Sequence, residues 1–180
     1  MNFRKYGKLE LFIGPMFSGK TTSLLKNVLW NKHIGRKVCV FKPTKDVRYS
    51  LDEVVSHDGL SVMAHNVGIE FPEIDGEGNL IVLDEVQFFD VDVVDWVYSL
   101  LQNNNDVIAV GLDMDTNGFV FDNTAILSAM ADEIHKLKAV CSICGAPASK
   151  TFKKVKNDER ILLGSSDIYE SRCNNHWSEV

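Results

Sequence analysis

The stretch Gly14-Pro15-Met16-Phe17-Ser18-Gly19-Lys20-Thr21 follows the apolar run Leu9-Glu10-Leu11-Phe12-Ile13 and fits the pattern G-x-x-x-x-G-K-[ST]. Its meaning is geometric. Glycines let successive backbone N–H groups curl around phosphate oxygens, a helix beginning near Lys20 adds its positive end, and Lys20 supplies a full charge. Thr21 is then placed to hold Mg²⁺. The pattern works only between a strand and a helix, so it also predicts the order of elements at this end of the chain.

Outward from this stretch, strand-like runs at Leu9–Ile13, 37–41, Leu80–Leu83 and 107–112 alternate with helical spacing over 21–32 and 91–101. Near-continuous apolar strands separated by helices imply an α/β fold: a mostly parallel sheet covered on both faces, of the P-loop nucleotide-binding kind. A last helix is predicted from Thr124 to about His135, burying Ile126, Leu127, Met130, Ala131 and Ile134. Residues 70–79, with one Pro, two Gly and four acids, suit an exposed connection. Trp30 and Trp96 fall in helices and are expected to pack. After Leu137 the chain becomes cysteine-bearing, basic and loop-rich. The expected division is therefore a nucleotide-binding domain over 1–137 and a small zinc-binding domain over 138–180.

Two further motifs carry chemistry. The run Leu80-Ile81-Val82-Leu83-Asp84-Glu85 is an apolar strand ending in two acids. Ligands of open parallel sheets sit at the carboxyl ends of strands, so Asp84 would emerge beside the phosphate loop and reach the metal, leaving Glu85 free for another task. Cys141-x-x-Cys144, twenty-eight residues, then Cys173-x-x-His176 let two short turns present four soft ligands tetrahedrally, as a structural Zn²⁺ requires. With all four positions filled by protein, such a centre has no open position for catalysis. Cys39, alone inside a strand, reads as core. His57-Asp58-Gly59 fits a functional loop and a plain surface equally well, while His33, His65 and His135 show no ligand spacing.

Bulk composition bounds the rest. At 180 residues and 45% apolar the chain supports one ordinary core and a small appendage. A net charge of -6 argues against general coating of nucleic acid, which needs a wide basic field. Between residues 136 and 160, however, seven Lys/Arg stand against two Asp/Glu. No apolar run approaches the ~18 residues of a spanning helix and no secretion signal is evident, so the expectation is a soluble, cytoplasmic protein without membrane contact. Four cysteines are too few and too clustered for a disulfide scaffold.

The stretches 14–21, K-D-V-R-Y (45–49), S-H-D (56–58), D-E-V-Q-F-F (84–89), G-L-D-M-D (111–115), the Cys/His tetrad and I-Y-E-S-R-C (168–173) stand in the same order as in the small, zinc-bearing class of thymidine kinases. From residue 14 to 176 the chain resembles that family. The resemblance implies transfer of the γ-phosphoryl of ATP to the 5′-hydroxyl of thymidine, and also of deoxyuridine, with Mg²⁺ required and Zn²⁺ structural. It places Glu85 at the catalytic position, orienting or deprotonating that hydroxyl. Gly14 to Thr21, Asp46, Arg48, Asp84 and Gln87 fall at nucleotide-binding positions. Met16, Phe88, Leu112, Thr116, Phe121, Leu162, Gly164 and Tyr169 fall at the nucleoside site, which a zinc-tied segment closes. A homotetramer, dTTP as feedback inhibitor and no nucleic-acid partner are implied as well.

Four positions depart from the family's pattern. Val86 replaces a small residue and is expected to crowd the turn after the acids; Thr116 replaces a phenylalanine, and Val120 and Asp122 a proline and a glycine around Phe121. Thr116 leaves one aromatic wall missing or supplied by Phe119. Two other classes compete. A nucleic-acid-stimulated ATPase would use the Asp84-Glu85 strand end and the basic zinc segment; a non-catalytic zinc-ribbon module leaves Lys20, Asp84 and Glu85 without purpose.

Overall fold

In the computed structural model, residues 6–44, 53–56, 59–155 and 164–177 are described here. In chain order the elements are β1 (Leu9–Ile13), α1 (Lys20–His33), β2 (Val38–Pro43), β3 (Glu53–Val55), β4 (Ser61–Met63), β5 (His65–Val67) and β6 (Leu80–Leu83). A single 3₁₀ turn (Val86–Phe88) leads to α2 (Val93–Gln102), β7 (Asp106–Gly111), α3 (Asp122–Met130) and β8 (Glu133–Lys136). The last part holds β9 (Ala139–Val140), β10 (Pro147–Ala148), β11 (Lys150–Lys153), β12 (Tyr169–Arg172) and the one-turn α4 (Asn174–Trp177).

Six strands form one sheet in the order β5-β2-β6-β7-β1-β8, and each neighbouring pair runs parallel. Alternation along the strands divides the core in two. Leu9, Leu11, Ile13, Ile81, Leu83, Val107 and Ala109 face one side, where α2 contributes Val93, Val97, Leu100 and Leu101 and α3 contributes Leu127. Phe12, Val40, Leu80, Val82, Ile108 and Val110 face the other, against Leu24, Leu25 and Val28 of α1 and the β3–β4 hairpin through Val54 and Val62. The expected mostly parallel sheet flanked by helices is therefore the observed architecture.

The third helix ends early. It runs only to Met130, because Ala131 is extended (ψ 138°) and the chain turns into β8, which pairs parallel with β1. The Asp132 carboxylate accepts the Leu9 N–H at 2.8 Å, and Asp132 N–H donates to the Leu9 carbonyl at 2.9 Å. Open backbone groups on β1 thus claim a segment whose apolar spacing reads as helix. Ile134 and Ile126, expected inside, are 44% exposed. Polar contacts line the new edge: the His135 ring lies 2.8 Å from Glu10 and 3.3 Å from Glu133, and Glu133 forms an ion pair with Lys8 at 2.8 Å.

Two smaller expectations also change. Trp30 is 64% exposed on α1 rather than packed, whereas Trp96 does pack, edge-on to Phe41 and stacked with Phe71. The connection over 70–79 is exposed only in part, since Phe71 and Ile74 lie against the core and Asn79 is buried. Cys39 is half-buried beside the core, as its strand position implies.

Beyond β8 the chain builds two short antiparallel ribbons, β9 with β10 and β11 with β12. Their shared buried cluster is small: Ala139, Cys141, Ala148 and Cys173.

Candidate active site

Parallel strands share one carboxyl edge, and that edge organises the site. The phosphate-loop stretch leaves β1, Asp84-Glu85 leaves β6, and Leu112 leaves β7, which lies between the other two. Register sets the heights: Ile13 pairs with Gly111, and Leu83 pairs with Ala109 two residues earlier. Glu85, two residues past Leu83, therefore rises level with the last residues of β1 and β7.

The loop 14–19 is bent by residues in unusual conformations. Gly19 caps α1 in the left-handed region (φ 80°), and Phe17, which carries a side chain, sits at φ 64°. No acid occupies the first turn of α1, so the positive end of the helix is open toward the loop. Lys20 is buried and its Nζ donates to the Pro15 carbonyl at 2.7 Å. The ammonium is held across its own loop, where a phosphate oxygen would find it. Thr21 is half-buried in the first turn and Asp84 is buried at the strand end; both offer hard oxygen donors of the kind Mg²⁺ takes alongside phosphate and water.

Glu85 is also left-handed, at φ 52° and ψ 46°. Such a conformation costs energy for a residue with a side chain, and it recurs where a functional group must be aimed. The turn is held from three sides. Phe88 N–H donates to the Glu85 carbonyl at 2.9 Å, the Asn123 side chain donates to the Phe89 carbonyl at 3.0 Å, and the Gln87 amide donates to Glu85 Oε2. Val86 does not crowd this turn: it is fully buried in the core. The space exists because β7 ends in Gly111, where a Cβ would stand 2.9 Å from Val86 Cγ1.

Of the residues expected at the nucleoside site, Phe88 and Phe121 meet edge to face at 6.1 Å, and Leu112 follows β7. Thr116 lies in a tight turn that Asp115 closes by accepting N–H groups of Asn117 and Phe119, each at 2.9 Å. Phe119, the alternative aromatic wall, is 68% exposed at that turn. Tyr169 is buried on β12, and Gly164 lies shortly before it. Met16 N–H donates to Thr151 Oγ1 at 3.0 Å, tying the phosphate loop to β11. Asp46, Arg48, His57, Asp58 and Leu162 lie outside the described residues.

Cys141, Cys144, Cys173 and His176 come together, with all ligand atoms within 4.8 Å of one another. Sulfurs about 2.3 Å from a tetrahedral zinc stand about 3.8 Å apart. Here Cys144 Sγ and Cys173 Sγ are 3.8 Å apart, and His176 Nδ1 lies 3.8 Å from Cys141 Sγ and 3.3 Å from Cys173 Sγ. The donor set and its spacing fit a structural zinc site. The Cys173 N–H pulls the Cys141 thiol down to about 6. Burial pushes Cys173 up, but the His176 ring and N–H outweigh it and leave the thiol below its ordinary value. Donation from the His176 ring to the Cys173 and Cys141 sulfurs raises His176 in turn. Cys141 is thereby biased toward the thiolate before any metal arrives.

Sequence reasoning missed Thr151 and Asn123, neither of which carries a local signal, and quoted Gly111 only within the stretch 111–115 without giving it a role. It also gave Trp177 no role, yet the indole donates to the Thr151 carbonyl at 3.3 Å, lies under Lys150, and packs where a Cβ on Gly118 would be 2.9 Å away. The end of the cysteine ribbon is thereby seated on the 115–119 turn.

A parallel α/β sheet with a phosphate loop after β1, paired acids after β6 and a Cys₃His centre defines a nucleotide-dependent phosphotransferase with an attached metal ribbon. The thymidine kinase family profile matches residues 7–177. A thymidine kinase of Pyrobaculum aerophilum is 39% identical over 181 residues, covering 94% of this chain and 97% of the relative. The chain belongs to the thymidine kinase family, and is an enzyme of the kinase class.

Proposed function

We propose that this chain transfers the γ-phosphoryl of ATP to the 5′-hydroxyl of thymidine, giving dTMP and ADP. The observation that carries the reading is the shared carboxyl edge, where the Lys20 loop and the Asp84-Glu85 pair rise from strands with only β7 between them. Phosphoryl transfer has a loose transition state that asks chiefly for alignment and charge neutralisation. Loop N–H groups, the α1 terminus and Lys20 bind the phosphates, with Asp46 and Arg48 as further contacts. Mg²⁺ held by Thr21 and Asp84 would neutralise charge on the β- and γ-phosphates. Glu85 orients the 5′-hydroxyl and accepts its proton as the oxygen attacks phosphorus and the bond to the ADP oxygen breaks.

Met16, Phe88, Leu112, Thr116 and Phe121 form the wall for the base and sugar, and Leu162, Gly164 and Tyr169 close it from the ribbon side. Zinc at the Cys₃His centre gives that closing segment a fixed base, and residues 138–180 act as a domain apart from 1–137. The reading carries the family's other expectations: deoxyuridine as a second acceptor, dTTP as feedback inhibitor, a homotetramer and a cytoplasmic setting. Among the described residues no helix is long and apolar enough to cross a membrane. The nucleic-acid-stimulated ATPase is not favoured by the family match.

The test is ADP release that requires thymidine and yields a phosphorylated nucleoside, with Glu85→Gln lowering kcat by about 10²–10⁴-fold while ATP still binds. Release indifferent to thymidine and stimulated by DNA would replace this reading with the ATPase.

A further inference from the structure

Gln87 falls at a nucleotide-binding position by resemblance, and within the chain its side chain makes two contacts of its own. The side chain is buried, 8% exposed, in the 3₁₀ turn directly after Glu85. Its Oε1 accepts the Leu112 N–H at 3.0 Å. A backbone N–H only donates, so this contact fixes which end of the amide is oxygen. The Nε2 end therefore faces Glu85, and it donates to Glu85 Oε2. Gln87 is thus a strut between the end of β7 and the Glu85 carboxylate.

The surroundings keep the strut in place. A Cβ on Gly111 would lie 2.6 Å from Gln87 Oε1, so the glycine at the end of β7 leaves the space that the amide fills. On the other side, Asn123 fixes the turn through the carbonyls of Val86 and Phe89. Glu85 needs such help because its left-handed backbone and flexible side chain do not by themselves choose one rotamer. A donor locked at its far end restrains the carboxylate oxygen that it bonds and so sets the orientation of the carboxylate.

We propose that Gln87 is a positioning residue for the phosphoryl transfer: it aims the Glu85 carboxylate by donating from an amide whose oxygen is pinned to the Leu112 N–H. This rests on the reading of Glu85 as the group that meets the 5′-hydroxyl. It also makes Leu112, a wall of the nucleoside site, and Glu85 two ends of one hydrogen-bonded chain.

The experiment is steady-state kinetics on Gln87→Met and Gln87→Glu, alone and combined with Glu85→Gln. Gln87→Glu retains an oxygen for the Leu112 N–H and replaces donation by a second carboxylate, so it separates anchoring from aiming if Gln87→Met folds poorly. Both are expected to lower kcat by about 10- to 100-fold with KM for ATP and thymidine changed less than about 3-fold. In the Glu85→Gln background Gln87→Met is expected to change kcat by less than about 2-fold, because two residues acting as one unit are not additive. A full multiplicative loss in that background overturns the proposal and makes Gln87 a structural residue. A tenfold rise in KM for ATP with kcat retained overturns it in favour of direct nucleotide contact. If Glu85→Gln alone keeps near-parental kcat, the assignment of Glu85 fails, and the strut has nothing to aim.

Discussion

The parallel sheet and the cysteine ribbon hold themselves together by different physics. On the sheet, Leu9, Leu11, Leu24, Ile81, Leu83 and Leu127 are fully buried, each contributing about 1.5–3 kcal/mol by leaving water. The ribbon's buried cluster has two alanines and two cysteines, with Phe17 of the phosphate loop packed against it. Alanine methyl groups add little, and both cysteines belong to the metal-ligand set. Strands of two and four residues cannot make up the difference. One region is stable through area; the other carries a ligand set that a bound ion would complete, as in small metallo-domains.

Metal removal is the most severe way to separate the two. A strong chelator is expected to abolish hydrogen-exchange protection in β9 to β12 while β1, β6 and β7 keep theirs. Because Met16 N–H donates to Thr151 and Phe17 packs on the ribbon, KM for ATP should rise as well. Simultaneous loss of protection in both regions would show one cooperative unit and end the contrast. Next in size, Leu11→Ala opens a cavity in the sheet core and is expected to cost about 2–5 kcal/mol by denaturant unfolding. Metal affinity should remain unchanged in that variant; a matching fall in affinity would mean that the ribbon borrows its stability from the sheet.

The smallest effect is on pH. In metal-free protein the Cys141 thiol is lowered from 9.0 to about 6. A depressed value contributes stability that is fully present above the unfolded value and is lost as pH falls. Zinc affinity, read by chelator competition, should therefore weaken as pH falls from about 9 to 6, since the ligand is the thiolate, and sheet protection should stay flat over that window.

Much of this comparison was legible before the coordinates. The strands at Leu9–Ile13 and Leu80–Leu83 and the helix beginning at Lys20 coincide with the sequence reading, because short, near-continuous apolar runs and a 3.6 pattern are bounded there by glycine and by charge. The end of α3 was not, because Ile134 has helical spacing from Leu127 and Met130. Only the unpaired backbone of β1 decides that this segment becomes a strand. Trp30 was misplaced for a related reason: apolar spacing marks a helix without saying how much of its circumference another element covers. Val86 looked too large for its turn until β7 was seen to end beside it in Gly111.

The sequence alone determined the ligand and reaction chemistry: which residues offer phosphate-binding N–H groups, a lysine, carboxylates and soft metal ligands. Those properties are local, fixed by residue type and spacing within a few positions. Tertiary structure alone decided which of them act together. β7 enters between β1 and β6 and brings Gly111 and Leu112 to Gln87, while the ribbon folds back to place Thr151 against Met16. Contacts across 25 and 135 residues arise from strand order and register, and no local pattern encodes them.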